Sequence, residues 1–450
     1  MTHPPATLAD TGRPLAERTV IGNGSPIGLL GSSTAYKQVW ARDSMICSLG
    51  LMLCAGPEGP EIARQSIRTL AAYQSRLGNI PHNVGFTGIP DPALIAHGGA
   101  LHVGEDAPTV VVDSAHAGCI DNSLWFILGN DYVHRTDGDT ARLRSMWPHL
   151  QRAYTWLEYQ DSNECGLLEV HEAMDWADLF ANRYNSLWPN ALWFAAQRSM
   201  AAMSDALGED GDPYRARAED LRFKINTLLW VGPEVEKDMT WVERHRKEWL
   251  YPIRLTTTVL QERPYYLPYM AFRDYEDRFD TFGNLVAILF GLADEAQSHK
   301  ILDYIQSAGV NEPWPIKAVY PPVQPGDKDW REYYRLRNLN LPNHYHNGGI
   351  WPFIGGFYVA ALVKAGRLEE AAHQLDRLAQ MDRLSRTPGL EWDFNEWHHG
   401  LTGRPSGFRG QSWSAAMFVY AHECVRRGEC PIFNSSGAGH ERRTAGATGR

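Results

Sequence analysis

Apolar residues recur at three-to-four spacing over most of this chain, the periodicity of helices that bury one face or more. The pattern predicts helices over 43–54, 61–74, 121–134, 140–160, 189–207, 213–230, 282–292, 295–307, 350–365, 367–381 and 412–427. Several open on Pro or a capping Asp, Thr or Ser and close near Gly. The two-residue alternation of strands is rare. Helix pairs that follow one another at roughly 35 to 60 residues predict an all-α fold, an (α/α)6 toroid, in which each loop end contributes to one central cleft.

Three connections, 78–117, 232–279 and 311–349, are far longer than helix turns need and rich in Gly, Pro, Trp, His and Asn. They carry too many aromatics for disorder and read as site walls folded over the toroid mouth. No linker divides the chain. A single catalytic domain over 21–433 is expected, with a mobile segment over 1–20 and a disordered, small-residue tail over 434–450.

Charge and composition then exclude partners. Against 53 Asp and Glu stand 43 Lys and Arg, a net charge of −10 with no long basic run, which argues against nucleic acid. No window of about 18 uncharged apolar residues exists, and no apolar stretch follows the first basic residues. A soluble, cytoplasmic protein is expected, with homo-oligomerisation left open. The 6 cysteines show no CxxC pair and no scaffold density, so they read as buried thiols. The 16 Trp, 19 Tyr and 15 Phe often stand beside Asp, Asn, His or Arg. Flat apolar faces beside hydrogen-bonding groups suit sugar rings, although large cores also bury aromatics.

Four segments carry candidate chemistry. In HEAMDWADLF, Asp175 and Asp178 flank Trp176, either as a general acid desolvated by the indole or as a helix-capping pair. LEWDFNEWHHGLTGRPSGFRGQSW holds Glu391, Asp393 and Glu396 with His398 and His399; a carboxylate here can activate water. Metal ligation is disfavoured, because adjacent histidines on an extended segment point apart. In YKQVWARDSM, Asp43 is an N-cap or, with Arg42, a grip on sugar hydroxyls. In PNHYHNGGIWPF, the two glycines after His344, Tyr345, His346 and Asn347 mark either a close backbone approach or a helix-entry turn.

These segments together resemble the α/α-toroid glycoside hydrolases, most closely the neutral/alkaline invertases of glycoside hydrolase family 100. Family 63 α-glycosidases and the glucosidase half of glycogen debranching enzymes are more distant. The resemblance rests on VWARD, IDNSLWFIL, AMD with PNALWFAA, FGNLVAIL, YHNGGIWP and NEWHHGLTGRP running on to QSWSAA, in family order. It implies Asp175 as general acid and Glu396 as general base, and no cofactor or metal. It implies sugar contacts from Trp40, Arg42, Asp43, Asp121, Trp125, Trp176, His346, Asn347, Trp351, Trp397, Gln411 and Trp413. The chain departs from the invertases after Asp175, where their paired arginines are missing and Asn190 or Ala191 replaces their glutamate. That departure bears on sucrose specificity rather than on the chemistry.

The function this implies is an inverting exo-α-glycosidase acting on a small α-glucoside of sucrose or glucosylglycerate type. A non-catalytic sugar-binding toroid and a lyase or epimerase using His344, His346, His398 or His399 are the competing classes.

Overall fold

The computed structural model of the protein describes residues 7–85, 100–101, 109–111 and 118–433. In chain order its helices are α1 (Leu8–Gly22), α2 (Ala41–Leu51), α3 (Glu58–Ala72), α4 (Asp121–Asp137), α5 (Thr140–Glu158), α6 (Leu187–Leu207), α7 (Asp212–Leu229), α8 (Met239–His245), α9 (Leu250–Leu260), α10 (Thr281–Leu289), α11 (Glu295–Ser307), α12 (Pro352–Lys364), α13 (Leu368–Arg383) and α14 (Ser412–Arg427).

Every residue of α2 and α10 is buried, as are most of α4, α6, α12 and α14. A helix with no solvent face must be surrounded, and these helices form an inner ring. Each of α2, α4, α6, α10 and α12 packs on the next, and α14 packs back on α2 to close the circle. The intervening helices are amphipathic. Helix α3, for example, buries Ala63, Ile67 and Leu70 on one stripe, and α3, α5, α7 and α13 each lie against the inner helix before them. The fold is an all-α toroid.

Residues 8–20 are not a mobile lead-in. They form α1, opened by a capping box between Thr7 and Asp10, and α1 packs on α13 and α14 as the missing outer helix. Its buried stripe is Ala9, Gly12, Ala16 and Val20, small residues that a hydrophobicity pattern passes over. They are small for a steric reason: a Cβ on Gly12 would meet the Trp392 ring at 2.4 Å. The connection 232–279 also differs from expectation, since it holds α8 and α9. The tail 434–450 and most of 78–117 lie outside the described residues. Among the described residues no helix is long and apolar enough to cross a membrane.

The strands are two- or three-residue stubs in the loops. Val39–Trp40 pairs with Asn83–Gly85 just before α2, and Trp397–His398 pairs antiparallel with Pro405–Ser406 before α14. Their effect is to aim the segments leading into the inner helices at one mouth.

Candidate active site

At that mouth lies a cavity of about 250 Å³. Its wall is assembled from the approach to α2 (Tyr36, Trp40), the first turn of α2 (Arg42, Asp43) and the 175–182 turn (Asp178, Leu179). Arg337, Leu339 and Tyr345 ahead of α12, the 396–408 hairpin and the start of α14 complete it.

The hairpin presents Glu396. Its Oε1 accepts the Tyr36 hydroxyl at 3.0 Å, and its Oε2 accepts the Phe408 N–H at 2.9 Å. Burial pushes the carboxyl up to about 7, against the lowering by these two donors. Gly407, at φ 67°, makes room: a Cβ there would stand 2.3 Å from Glu396 Oε2. Asp43 is pushed up to about 6 by burial, partly offset by the neighbouring Arg42 charge.

Arg42 is 4% exposed and held from two sides. Nη1 donates to Asp121 Oδ2 at 2.7 Å and Nη2 to Asp178 Oδ1 at 3.3 Å. Asp121 also accepts the Cys119 thiol at 2.8 Å. Removing one partner of a buried pair leaves an uncompensated charge, at a cost of about 3–5 kcal/mol. Asp121 is itself wholly buried and outside the cavity wall, so its place is behind Arg42 rather than against a sugar.

The wall also carries unpaired hydrogen-bonding groups. Trp40 Nε1, Trp413 Nε1, Arg42 Nε and both amide atoms of Gln411 are buried without a protein partner. Native structures rarely leave such groups unmatched. The residues that carry these four donors and one acceptor all line the cavity.

Of the residues proposed from sequence, Trp40, Arg42, Asp43, Glu396, Trp397, Gln411 and Trp413 reach the wall. Asp175 does not. It is 2% exposed, its Oδ1 accepts the Ala177 N–H at 2.9 Å and its Oδ2 the Asn182 amide at 3.4 Å. Burial pushes its carboxyl up to about 7, Asp121 and Asp178 adding to the rise. Asp178, three residues on, is the aspartate that faces the cavity.

Several expected sugar contacts belong to the core instead. Trp176 packs edge-on against Phe282, His346, Trp351 and Phe353, and Trp125 lies against Phe357. His346 stacks on Trp351, whose Nε1 holds the Tyr345 carbonyl at 2.9 Å. Asn347 bonds the Val323 N–H and C=O. Their polar neighbours in sequence suggested a wet site, but packing turned these side chains inward.

Glu391 lies outside, in an exposed pair with Arg383. His398 is buried, pushed down to about 4 by desolvation, and His399 accepts the Leu401 and Thr402 N–H groups. None of the four histidines considered as lyase or epimerase bases lines the cavity.

Tyr36, Arg337, Leu339, Tyr345 and Phe408 were missed. Only Tyr345 carried a local sign, its position before Gly348 and Gly349. Its φ is 41°, and a Cβ on Gly349 would press its carbonyl oxygen at 2.4 Å.

The model of the mannosylglycerate hydrolase MGH1-like glycoside hydrolase domain matches residues 36–414. The chain belongs to this glycoside hydrolase family. Among curated relatives, alkaline/neutral invertase E of Arabidopsis thaliana is 32% identical over 149 residues, 32% of this chain and 23% of that protein. Alkaline/neutral invertase CINV1 of the same plant is 23% identical over 470 aligned positions, 93% of this chain and 79% of that one. The chain thus spans about a quarter of the length of the former. Among solved structures, the GH63 mannosylglycerate hydrolase of Thermus thermophilus in complex with glucose superposes with a TM-score of 0.62 at 16% identity, covering 90% of this chain and 99% of that one. A bacterial glucoamylase complexed with acarbose gives 0.59 at 12% identity, covering 95% and 56%. These likenesses place the fold of this MGH1-like chain among the glycosidase toroids.

Proposed function

We propose that this MGH1-like protein is an inverting exo-α-glycosidase that removes one glucose from a small leaving group bearing a carboxylate. The observation that carries this is the cavity: one ring's worth of space, unpaired donors on its wall, and Glu396 held by Tyr36 and Phe408 with a carboxyl close to neutral range. Trp40, Arg42, Asp43, Gln411 and Trp413 bind the sugar hydroxyls. Glu396 takes a proton from water as the water adds to the anomeric carbon. An aspartate of the 175–178 turn gives a proton to the departing oxygen. An inverting pair stands about 6.5 to 9.5 Å apart, leaving room for the water.

Asp175 is the donor on chemical grounds, because its buried carboxyl keeps a proton near pH 7. One observation favours a second reading: Asp178 is in the cavity wall and Asp175 is not. Geometry ranks before pKa in such a choice, although unliganded sites tighten on binding substrate.

At the leaving-group end, Arg337 is exposed in the wall and makes no ion pair among the described residues. An unpaired guanidinium there suits a carboxylate. It favours a glucosylglycerate-type substrate over sucrose, and the solved mannosylglycerate hydrolase is a structural neighbour.

The test is a panel of glucosylglycerate, mannosylglycerate, glucosylglycerol, sucrose and soluble starch, with NMR of the first-formed sugar. The highest kcat/KM is expected on glucosylglycerate, and β-glucose is expected first. A preference for sucrose or starch sinks the substrate assignment, and α-glucose as first product sinks inversion.

A further inference from the structure

The turn that carries Asp175 and Asp178 is gripped on one side by residues 329–340, besides the Arg42 bond to Asp178 and the ring packing of Trp176. The Tyr334 hydroxyl accepts the Ala181 N–H at 3.0 Å, and Asn340 donates to the Leu179 carbonyl at 2.8 Å. Arg183, just past the turn, donates to Asp329 at 3.0 Å. At the entrance to the turn, Glu172 is clasped by Arg331. Nε lies 2.8 and 3.1 Å from the two carboxylate oxygens and Nη2 3.0 Å from one of them, while the Tyr333 hydroxyl adds a bond of 2.6 Å.

The far end of the same segment reaches the cavity, where Arg337 and Leu339 lie in the wall. Its first half is held by ring contacts of Tyr334 with Trp330, Tyr333 and Phe180. Its 3₁₀ turn is broken at Leu336 and Arg337, and both Arg337 and Asn338 stand at φ 54°. Left-handed backbone at non-glycine residues is strained and persists only where surroundings enforce it. Whatever binds Arg337 therefore acts on a segment tied to the turn of Asp175 and Asp178, alongside its bonds from Tyr269 to Asp329 and from His346 and Asn347 to Asn340.

We propose that Glu172 is a positioning residue: through Arg331 and Tyr333 it ties the turn of Asp175 and Asp178 to the segment that receives the leaving group. Occupation of that end of the cavity then sets the turn for proton transfer. The inference rests on the glycosidase reading above and holds whichever aspartate donates. Glu172 does not line the cavity, so it acts only through others. A two-pronged Arg–carboxylate clasp is directional as well as strong, and proton transfer tolerates little misplacement. Selection of the leaving group accordingly shows in kcat as well as in KM.

Glu172→Gln keeps the size of the side chain and removes its charge. The variant is measured on glucosylglycerate, whose leaving oxygen needs a proton, and on α-glucosyl fluoride, whose fluoride departs without one. General acid catalysis is worth about 10² to 10⁴. A loss of about 30-fold or more in kcat is expected on glucosylglycerate, against less than about threefold on the fluoride, with melting temperature almost unchanged. Equal losses on both substrates, or none on either, overturn the proposal. Hydrogen exchange gives a readout independent of turnover. Exchange across 173–182 should quicken by about tenfold, with α2 and α14 unchanged, and unchanged exchange in that turn also overturns it. If the wild-type protein hydrolyses neither substrate, the glycosidase reading fails, and exchange alone still decides the role of Glu172.

Discussion

Tyr36 and Glu396, 360 residues apart in the chain, meet across the cavity through a 3.0 Å hydrogen bond from the phenol to the carboxylate. Burial favours the neutral acid at Glu396, whereas this bond and the Phe408 N–H favour the charged form. In the proposed mechanism Glu396 must be charged to take a proton from water, and Tyr36 is the counterweight that favours that charged form.

Tyr36→Phe removes that counterweight and raises the Glu396 pKa further. Activity requires the deprotonated base, so the acid limb of the kcat/KM profile should move to higher pH. A hydrogen bond to a charged group is worth about 1.5–3 kcal/mol, roughly one to two pH units. Glu396→Gln should lower kcat by about 10² to 10⁴ with the fold intact. A pH profile identical in wild type and Tyr36→Phe would show that the bond does not tune the base.

The proton donor is identified by comparing Asp175→Asn with Asp178→Asn. If Asp175 donates, its variant loses about 10² to 10⁴ in kcat on glucosylglycerate but little on α-glucosyl fluoride. Asp178→Asn then mainly raises KM, because Arg42 loses one partner. The reverse pattern assigns the donor to Asp178. With Asp175 as donor, the alkaline limb falls through about pH 7, where its carboxyl gives up the proton that catalysis needs.

Arg337→Ala tests the anionic leaving group. The ratio of kcat/KM on glucosylglycerate to that on uncharged glucosylglycerol should fall about 10- to 100-fold, the worth of one charged hydrogen bond. Added salt should weaken the wild type on the charged substrate more than it weakens the variant. A ratio unchanged by the substitution would remove Arg337 from the leaving-group site.

A stability prediction comes from Asp382 on α13, which is wholly buried with neither carboxyl oxygen bonded. Burial holds its pKa well above the usual carboxylate range. Below about pH 4 the folded and unfolded chains both carry the proton, and no penalty arises. As pH rises, only the unfolded chain ionises, so this residue favours unfolding increasingly toward neutral pH. Asp382→Asn cannot ionise. Its melting temperature relative to wild type should therefore climb between about pH 4 and pH 7, and a constant difference across that range would refute the argument.

The sequence by itself determined where most helices lie, because a 3.6-residue period is a local property that each segment carries alone. It also marked Arg42 and Asp43 at the start of an apolar helix and Glu396 in a polar, aromatic string that a plain core would not accommodate, while the family resemblance added Gln411 and Trp413. Only the tertiary structure decided which neighbours face the cavity. Asp175 and Asp178 are equivalent as residue types, yet one organises its own turn while the other reaches the wall. Trp176 and His346 lie in polar-looking strings and sink into the core, because ring packing among Phe282, Trp351 and Phe353 outweighs the character of their flanks. Tyr36 and Arg337 carried no local mark at all. Their roles exist only once the inner ring closes from α14 back to α2, bringing residues hundreds of positions apart within hydrogen-bonding distance. No short-range pattern encodes that closure, since it depends on the sum of all the helix contacts around the ring.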